Sequence, residues 1–143
     1  MIDWTDPNAR VSPNFTVKEM LYCNLWGRMA TEADGLNDTI KTNLASLCLK
    51  LELIRDFFQD RTININSGYR PPKYSPMVGG FSTDVHTMGM AADFTVSSVP
   101  CAEAKALLLP KLAEFGIRME DNGTGNWIHV DTHSVIVNRF FKP

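Results

Sequence analysis

One domain that mixes helices with strands is what this sequence predicts, and three observations carry the prediction. The 143-residue chain is 44% hydrophobic, enough to bury one sizeable core and too little for two comfortable domains. One long segment repeats its apolar residues at helical spacing. Shorter segments before and after a glycine- and proline-rich stretch alternate with a period of two, the signature of half-buried strands.

Taken in chain order, residues 1–14 show little periodicity and contain Pro7 and Pro13, so they read as an irregular N-terminal arm of a single 1–143 domain. Thr16-Val17-Lys18-Glu19 fits a capping box, in which the Thr oxygen accepts a backbone N–H and the Glu side chain reaches back to the cap. A short helix should follow. Residues 27–37 read as a loop. Ile40, Leu44, Leu47, Cys48, Leu51, Ile54 and Phe58 then mark a helix with one broad apolar face. Thr62-Ile63-Asn64-Ile65-Asn66 alternates and is rich in β-branched residues, so it is a half-buried strand.

The stretch from Gly68 to Gly80 holds Pro71, Pro72, Pro76 and two adjacent glycines, Gly79 and Gly80, which most simply allow a tight turn. It should be a long ordered loop, and loops of that length are usually functional. From Met90 to Val96, Met90, Ala92, Phe94 and Val96 share one face of a strand, while Ala91, Asp93 and Thr95 share the other. A helix from about Cys101 to Phe115 follows, kinked near Pro110 and stopped by Gly116. Trp127 to Thr132 reads as a last strand, with Trp127, His129 and Asp131 on one face.

Charged residues make up 21% of the chain and the formal net charge is -2, so no basic stripe is available for a phosphate backbone and nucleic acid is not expected as a partner. No run approaches the roughly 18 apolar residues that cross a bilayer, so no membrane insertion is expected. The opening MIDWTDPNAR has no basic n-region or apolar h-region, and the chain is expected to be cytoplasmic as synthesised. A monomer is expected. Cys23, Cys48 and Cys101 are far apart and form no CxxC pair, so they read as free thiols, mostly buried.

Hydrolytic zinc sites use three protein ligands of the His and carboxylate type and leave a position for water. The chain has only three histidines. His86 ends the glycine-rich stretch seven residues before the strand Asp93, and His129 sits in a later strand. If those strands are neighbours, Asp93 and His129 meet and the loop folds His86 over them. Plainer readings stand beside this one: a surface-loop His86, a turn-capping Asp93 and a core His129. Even so, a charge flanked by Ala91, Ala92 and Phe94 is costly without a partner. His133 reads as exposed. Asp131 shares the face of His129 and is open to three roles: a base, a brace for a metal-bound imidazole, or a solvated acid. Tyr69 and Trp127 either wall a cleft or belong to the core, and Arg70 faces substrate or pairs with an acid such as Asp84.

The segments SGYRPPKYSPMVGGFSTDVHTMGMAADF and WIHVD resemble the zinc D-alanyl-D-alanine carboxypeptidase and endolysin family, of hedgehog-like zinc peptidase fold. That family shows SGYR, a GG-containing loop, SxHxxGxAxD and a W-x-H-x-D strand. The resemblance is close over residues 66–131 and loose over 15–26. It implies an α+β fold, with helices packed on one side of a small antiparallel sheet. It also implies that His86, Asp93 and His129 bind Zn2+, and that the substrates are peptides of bacterial peptidoglycan, often with D-residues. Arg70 would hold a substrate carboxylate or the developing oxyanion, with Tyr69 and Asp84 beside the substrate.

Two positions depart from the pattern. Asp84 stands where relatives have Ser, and Asn126 stands where many carry Glu or Asp three residues before the last His. The general base is therefore open among Asp131, Glu120 and Asp121, the last two read as loop residues before the final strand. The stem-peptide bond that is cut would depend on the loop from Pro71 to Ser82. The expected activity is that of a carboxypeptidase or endopeptidase, in a phage or prophage lysin that reaches the wall after release. A catalytically silent zinc-containing binding module of the same fold is the alternative.

Overall fold

The computed structural model describes residues 1–143. Its α+β character follows from one dominant helix, α2 (Asp38–Phe57), packed on a five-stranded sheet. Asn37 caps α2 by accepting the backbone N–H of Ile40 at 2.9 Å. Ile40, Leu44, Leu47, Cys48, Leu51 and Ile54 are its buried face, the stripe expected from the sequence. Burial of each such aliphatic side chain stabilises the fold by about 1.5–3 kcal/mol relative to exposure.

The sheet is built from β5 (Ile63–Ser67), β6 (Ala91–Val96), β7 (Arg118–Glu120), β8 (Ile128–Asp131) and β9 (Phe140–Phe141). Its spatial order is β5-β6-β8-β7-β9. The first four strands pair antiparallel, whereas β7 and β9 pair in parallel. Ile63, Ala92, Phe94, Val96, Met119, Ile128 and Val130 join the helices in one core. The opposite face carries the charged and polar side chains.

The N-terminal arm is more ordered than its sequence suggests. The strands β1 (Arg10–Ser12) and β2 (Phe15–Thr16) form a small hairpin, and Phe15 is buried. Asn14 ties the turn to α2, donating its backbone N–H and its Nδ2 to the Glu52 carboxylate at 2.8 and 2.7 Å. Prolines interrupt periodicity without preventing such long-range anchoring. The capping box at Thr16 and Glu19 is present and opens α1 (Val17–Leu21).

Within residues 27–37, expected as loop, β4 (Arg28–Met29) pairs with β3 (Tyr22–Cys23) and a 3-10 turn spans Glu32–Asp34. The helix expected over 101–115 is divided into α3 (Cys101–Leu108), a 3-10 turn at Leu109–Lys111 and α4 (Leu112–Phe115). Pro110 lacks the N–H that a continuous helix needs, and Gly116 at φ 68° ends α4 in the left-handed region.

Two strands of the five-stranded sheet, β7 and β9, were not expected. Residues 118–120 are too short for periodicity to be decisive, and a two-residue strand such as β9 exists only because a neighbour offers hydrogen bonds.

Candidate metal centre

The strand register assembles the site. Ser67 on β5 lies opposite Asp93 on β6, and Asp93 lies opposite His129 on β8. The β7–β8 pairing sets Arg118 opposite Asp131 and Met119 opposite Val130, so the next position brings Glu120 beside His129. Glu120 in turn lies opposite Phe141 on β9. One row across the open face thus carries Ser67, Asp93, His129, Glu120 and Phe141.

His86 enters from the loop that joins β5 to β6. Its Nδ1 lies 2.8 Å from the carbonyl oxygen of Gly68. A carbonyl only accepts, so Nδ1 carries a hydrogen, and Nε2, 3.2 Å from Asp93 Oδ1, is the ring nitrogen a metal would take. Gly68 allows this geometry because the chain passes tightly over α1. A Cβ there would lie 2.6 Å from the backbone oxygen of Met20. The next residue, Tyr69, donates its N–H to that same oxygen at 2.8 Å.

His129 approaches from the other side, with Nδ1 2.9 Å from the same Asp93 Oδ1 and Nε2 3.2 Å from Asp131 Oδ2. His86, Asp93 and His129 are all buried, and their ligand atoms lie within 4.8 Å of one another. Metal bonds of about 2.0–2.2 Å set tetrahedral ligand atoms about 3.3 Å apart. Each imidazole has its outer nitrogen held by an acceptor and its inner nitrogen turned to the shared carboxylate. The donor set therefore fits a divalent metal ion.

Electrostatics follow the same geometry. Burial works against a charged Asp93, but hydrogen bonds from His129 and His86 outweigh it and hold the carboxyl well below the usual range. Burial likewise opposes a charged His129, yet hydrogen bonds to Asp131 and Asp93 push its pKa up to about 9 in the metal-free chain. A bound cation would take over the role of that proton.

Arg70 pairs with Asp93 rather than with Asp84. Its Nη2 donates to Asp93 Oδ2 at 2.8 Å and its Nε donates to Ser67 Oγ at 2.9 Å. The Nη1 group has no protein partner, so two N–H donors remain free at the mouth of the site.

The other candidates divide. Asp84 lies beside the cleft, but it accepts hydrogen bonds from Ser75 Oγ and from the backbone N–H groups of Phe81, His86 and Thr87. Its carboxylate organises the loop and the approach of His86, and the residue also lines the more apolar cleft. Tyr69 is 1% exposed and belongs to the core, a correction to its expected place beside substrate. Trp127 is 37% exposed and stands in the cleft wall.

Asp131 is fully buried and forms a two-pronged pair with Arg118, Nε–Oδ1 at 2.7 Å and Nη2–Oδ2 at 2.9 Å. The solvated-acid alternative is thereby removed. Glu120 lies in β7 rather than in a loop, with 21% of its side chain exposed. Asp121, one residue on, borders a separate cavity, and its Oδ1 accepts the N–H of Gly123 at 3.2 Å. His133 is half-buried rather than exposed, although its Nδ1 does reach the carbonyl of Ser134. Arg118 was not anticipated. The alternation Ile117-Arg118-Met119-Glu120 hints at a strand but is too short to reveal it.

Two clefts flank the cluster. One, of about 710 Å³, mixes polar and apolar lining, with Arg70, Asn24, Asn66 and Asn126 between Tyr74 and Trp127. The other, of about 520 Å³, carries Val78, Phe81, Met88, Ile136 and Phe141 around His86, His129 and Glu120.

Comparison with known proteins agrees with this geometry. The chain is 34% identical over 95 residues to a zinc D-Ala-D-Ala carboxypeptidase of Streptomyces albus G, an alignment covering 65% of this chain. It spans 36% of that protein's length. A model of the Peptidase M15 family matches residues 13–131, a span that includes α1, α2, the loop bearing His86 and the strands bearing Asp93 and His129. The chain therefore belongs to the Peptidase M15 family.

Proposed function

We propose that this protein is a zinc-dependent peptidase that hydrolyses peptide bonds in the stem peptides of bacterial peptidoglycan. The observation that carries the reading is the convergence of His86 Nε2 and His129 Nδ1 on Asp93 Oδ1, with both outer ring nitrogens already held. Zinc held by these three side chains would supply Lewis-acid chemistry, polarising a scissile carbonyl and acidifying the attacking water.

The remaining tasks fall to the chain's own residues. Gly68 O and Asp131 fix the orientation of the two imidazoles. Arg70, anchored through Nε and Nη2, offers its Nη1 donors to a substrate carboxylate or to the oxyanion that develops at the carbonyl. The predominantly apolar cleft suits small apolar side chains, and the mixed one, with Arg70 on its wall, suits a residue that bears a carboxylate. A stem peptide offers this contrast, with carboxylate-bearing residues and D-alanine methyl groups. The similarity to the zinc D-Ala-D-Ala carboxypeptidase of Streptomyces albus G supports the same substrate class.

The deciding experiment is mass spectrometry of fragments released from purified muropeptides, with and without a chelator. Chelator-sensitive release is expected, and the fragment masses name the bond. His86→Ala should lose metal and turnover together. A lytic role of the phage-lysin kind belongs to the same proposal and is tested by adding the protein to purified cell walls. Asn126, whose amide accepts no proton where an acid was expected, favours a second reading as a zinc-containing binding module. Full zinc occupancy with muropeptide binding and no released fragment would establish that second reading.

A further inference from the structure

Hydrolysis of an amide needs a group that takes a proton from water and returns one to the departing nitrogen. Four side-chain carboxylates surround the metal cluster: Asp84, Asp93, Glu120 and Asp131. Three are committed. Asp93 belongs to the cluster itself and also accepts Arg70 Nη2 at 2.8 Å. Asp131 is enclosed by Arg118 and His129 and is 0% exposed. Asp84 accepts one hydroxyl and three backbone hydrogen bonds.

Glu120 differs from all three. No hydrogen bond reaches its carboxylate, and its nearest charged neighbour is His129 Nδ1 at 3.6 Å, beyond hydrogen-bond range. It borders the cleft, sits in the same strand row as Asp93 and His129, and keeps 21% of its side chain open to solvent. Such a carboxylate has free lone pairs at the place where a water must be activated. Partial burial and a β-strand backbone keep it in position.

We propose that Glu120 is the proton carrier of the hydrolysis, supplied from the neighbouring strand β7. The inference rests on the peptidase reading. Its Oε2 takes one proton as the water oxygen bonds to the scissile carbonyl carbon. The protonated carboxyl then gives that proton to the amide nitrogen as the C–N bond breaks. The products are a carboxylic acid and an amine, and Glu120 returns to its ionised form, so no external acid or oxidant is needed.

The test compares wild type, Glu120→Gln and Glu120→Asp on purified muropeptides, with zinc per chain measured by elemental analysis and melting followed in parallel. Glu120→Gln should keep one zinc per chain and a KM within about threefold, while kcat falls at least about 100-fold, the usual scale for a lost general base. Glu120→Asp, which keeps the carboxylate but shortens it by one methylene, should recover part of that loss with the same zinc content. A smaller fall in Glu120→Gln overturns the proposal and leaves the peptidase reading intact. Loss of zinc from Glu120→Gln also overturns it, because Glu120 would then be a ligand. Wild-type protein that holds zinc and releases no fragment removes the peptidase reading and this inference together.

Discussion

Asp131 Oδ2 lies 3.2 Å from Nε2 of His129, and this contact leaves Nδ1 as the ring nitrogen that faces Asp93. The carboxylate itself is immobilised by Arg118, whose guanidinium also stacks over the Phe141 ring at 4.1 Å to its centroid. A chain of buried contacts thus runs from β9 through β7 to the metal-facing imidazole.

Asp131→Asn should therefore damage both metal binding and folding. Losing a carboxylate that braces a metal-bound imidazole typically weakens metal affinity about 10 to 100-fold. The buried Arg118 charge would lose its counter-charge, at a cost of about 3 kcal/mol or more. Zinc titration and denaturant unfolding of the variant measure the two effects separately. Unchanged zinc affinity would show that Asp93 alone orients His129.

Arg70→Ala should lower kcat/KM about 100-fold, since the free Nη1 donors act on substrate. Arg70→Lys should recover little. A lysine ammonium cannot reach Ser67 Oγ, Asp93 and substrate at once. A large loss of stability with near-normal kinetics would make Arg70 a structural residue.

Zinc affinity should rise with pH. The His129 pKa is pushed up to about 9 in the metal-free chain, so below that pH a proton must leave before metal binds. Displacing one proton makes affinity rise about tenfold per pH unit in this range. For stability of the metal-free chain, the raised His129 pKa contributes fully below about 6.5, and the contribution is lost as pH rises through about 9. The depressed carboxyls of Asp93, Asp84 and Asp131 contribute above their ordinary value of 3.8, and this is lost as pH falls through their folded values. Calorimetric zinc titrations from pH 6 to 8 in buffers of different ionisation enthalpy would count the released proton, with about one expected.

Only one of the three thiols should react rapidly with a thiol reagent in the folded protein. Cys101 is half-buried, whereas Cys23 and Cys48 are enclosed in the core. Burial pushes the Cys23 thiol up to about 11 and raises that of Cys48 further, so neither offers appreciable thiolate near neutrality. Labelling followed by mass spectrometry should modify Cys101 first and the other two only on unfolding.

Much of the scaffold was legible in the sequence alone. The apolar stripe from Ile40 to Ile54, the capping box of Thr16 and Glu19, and the break at Pro110 are local patterns, and each appears in the structure. The alternation that turned Asp93 and His129 away from the core is local too, and with the resemblance it brought His86, Asp93 and His129 into one ligand set. Tertiary structure decided the rest. Asp131 is a buried partner of Arg118 because β7 lies beside β8, 13 residues away in the chain. Arg70 meets Asp93 instead of Asp84 because β5 and β6 are in register at Ser67 and Asp93. Tyr69 turned inward because Gly68 brings the chain against Met20. Periodicity reports which face of an element is buried. Which charge lies opposite which depends on register between strands distant in sequence, and that is set only when the whole core packs.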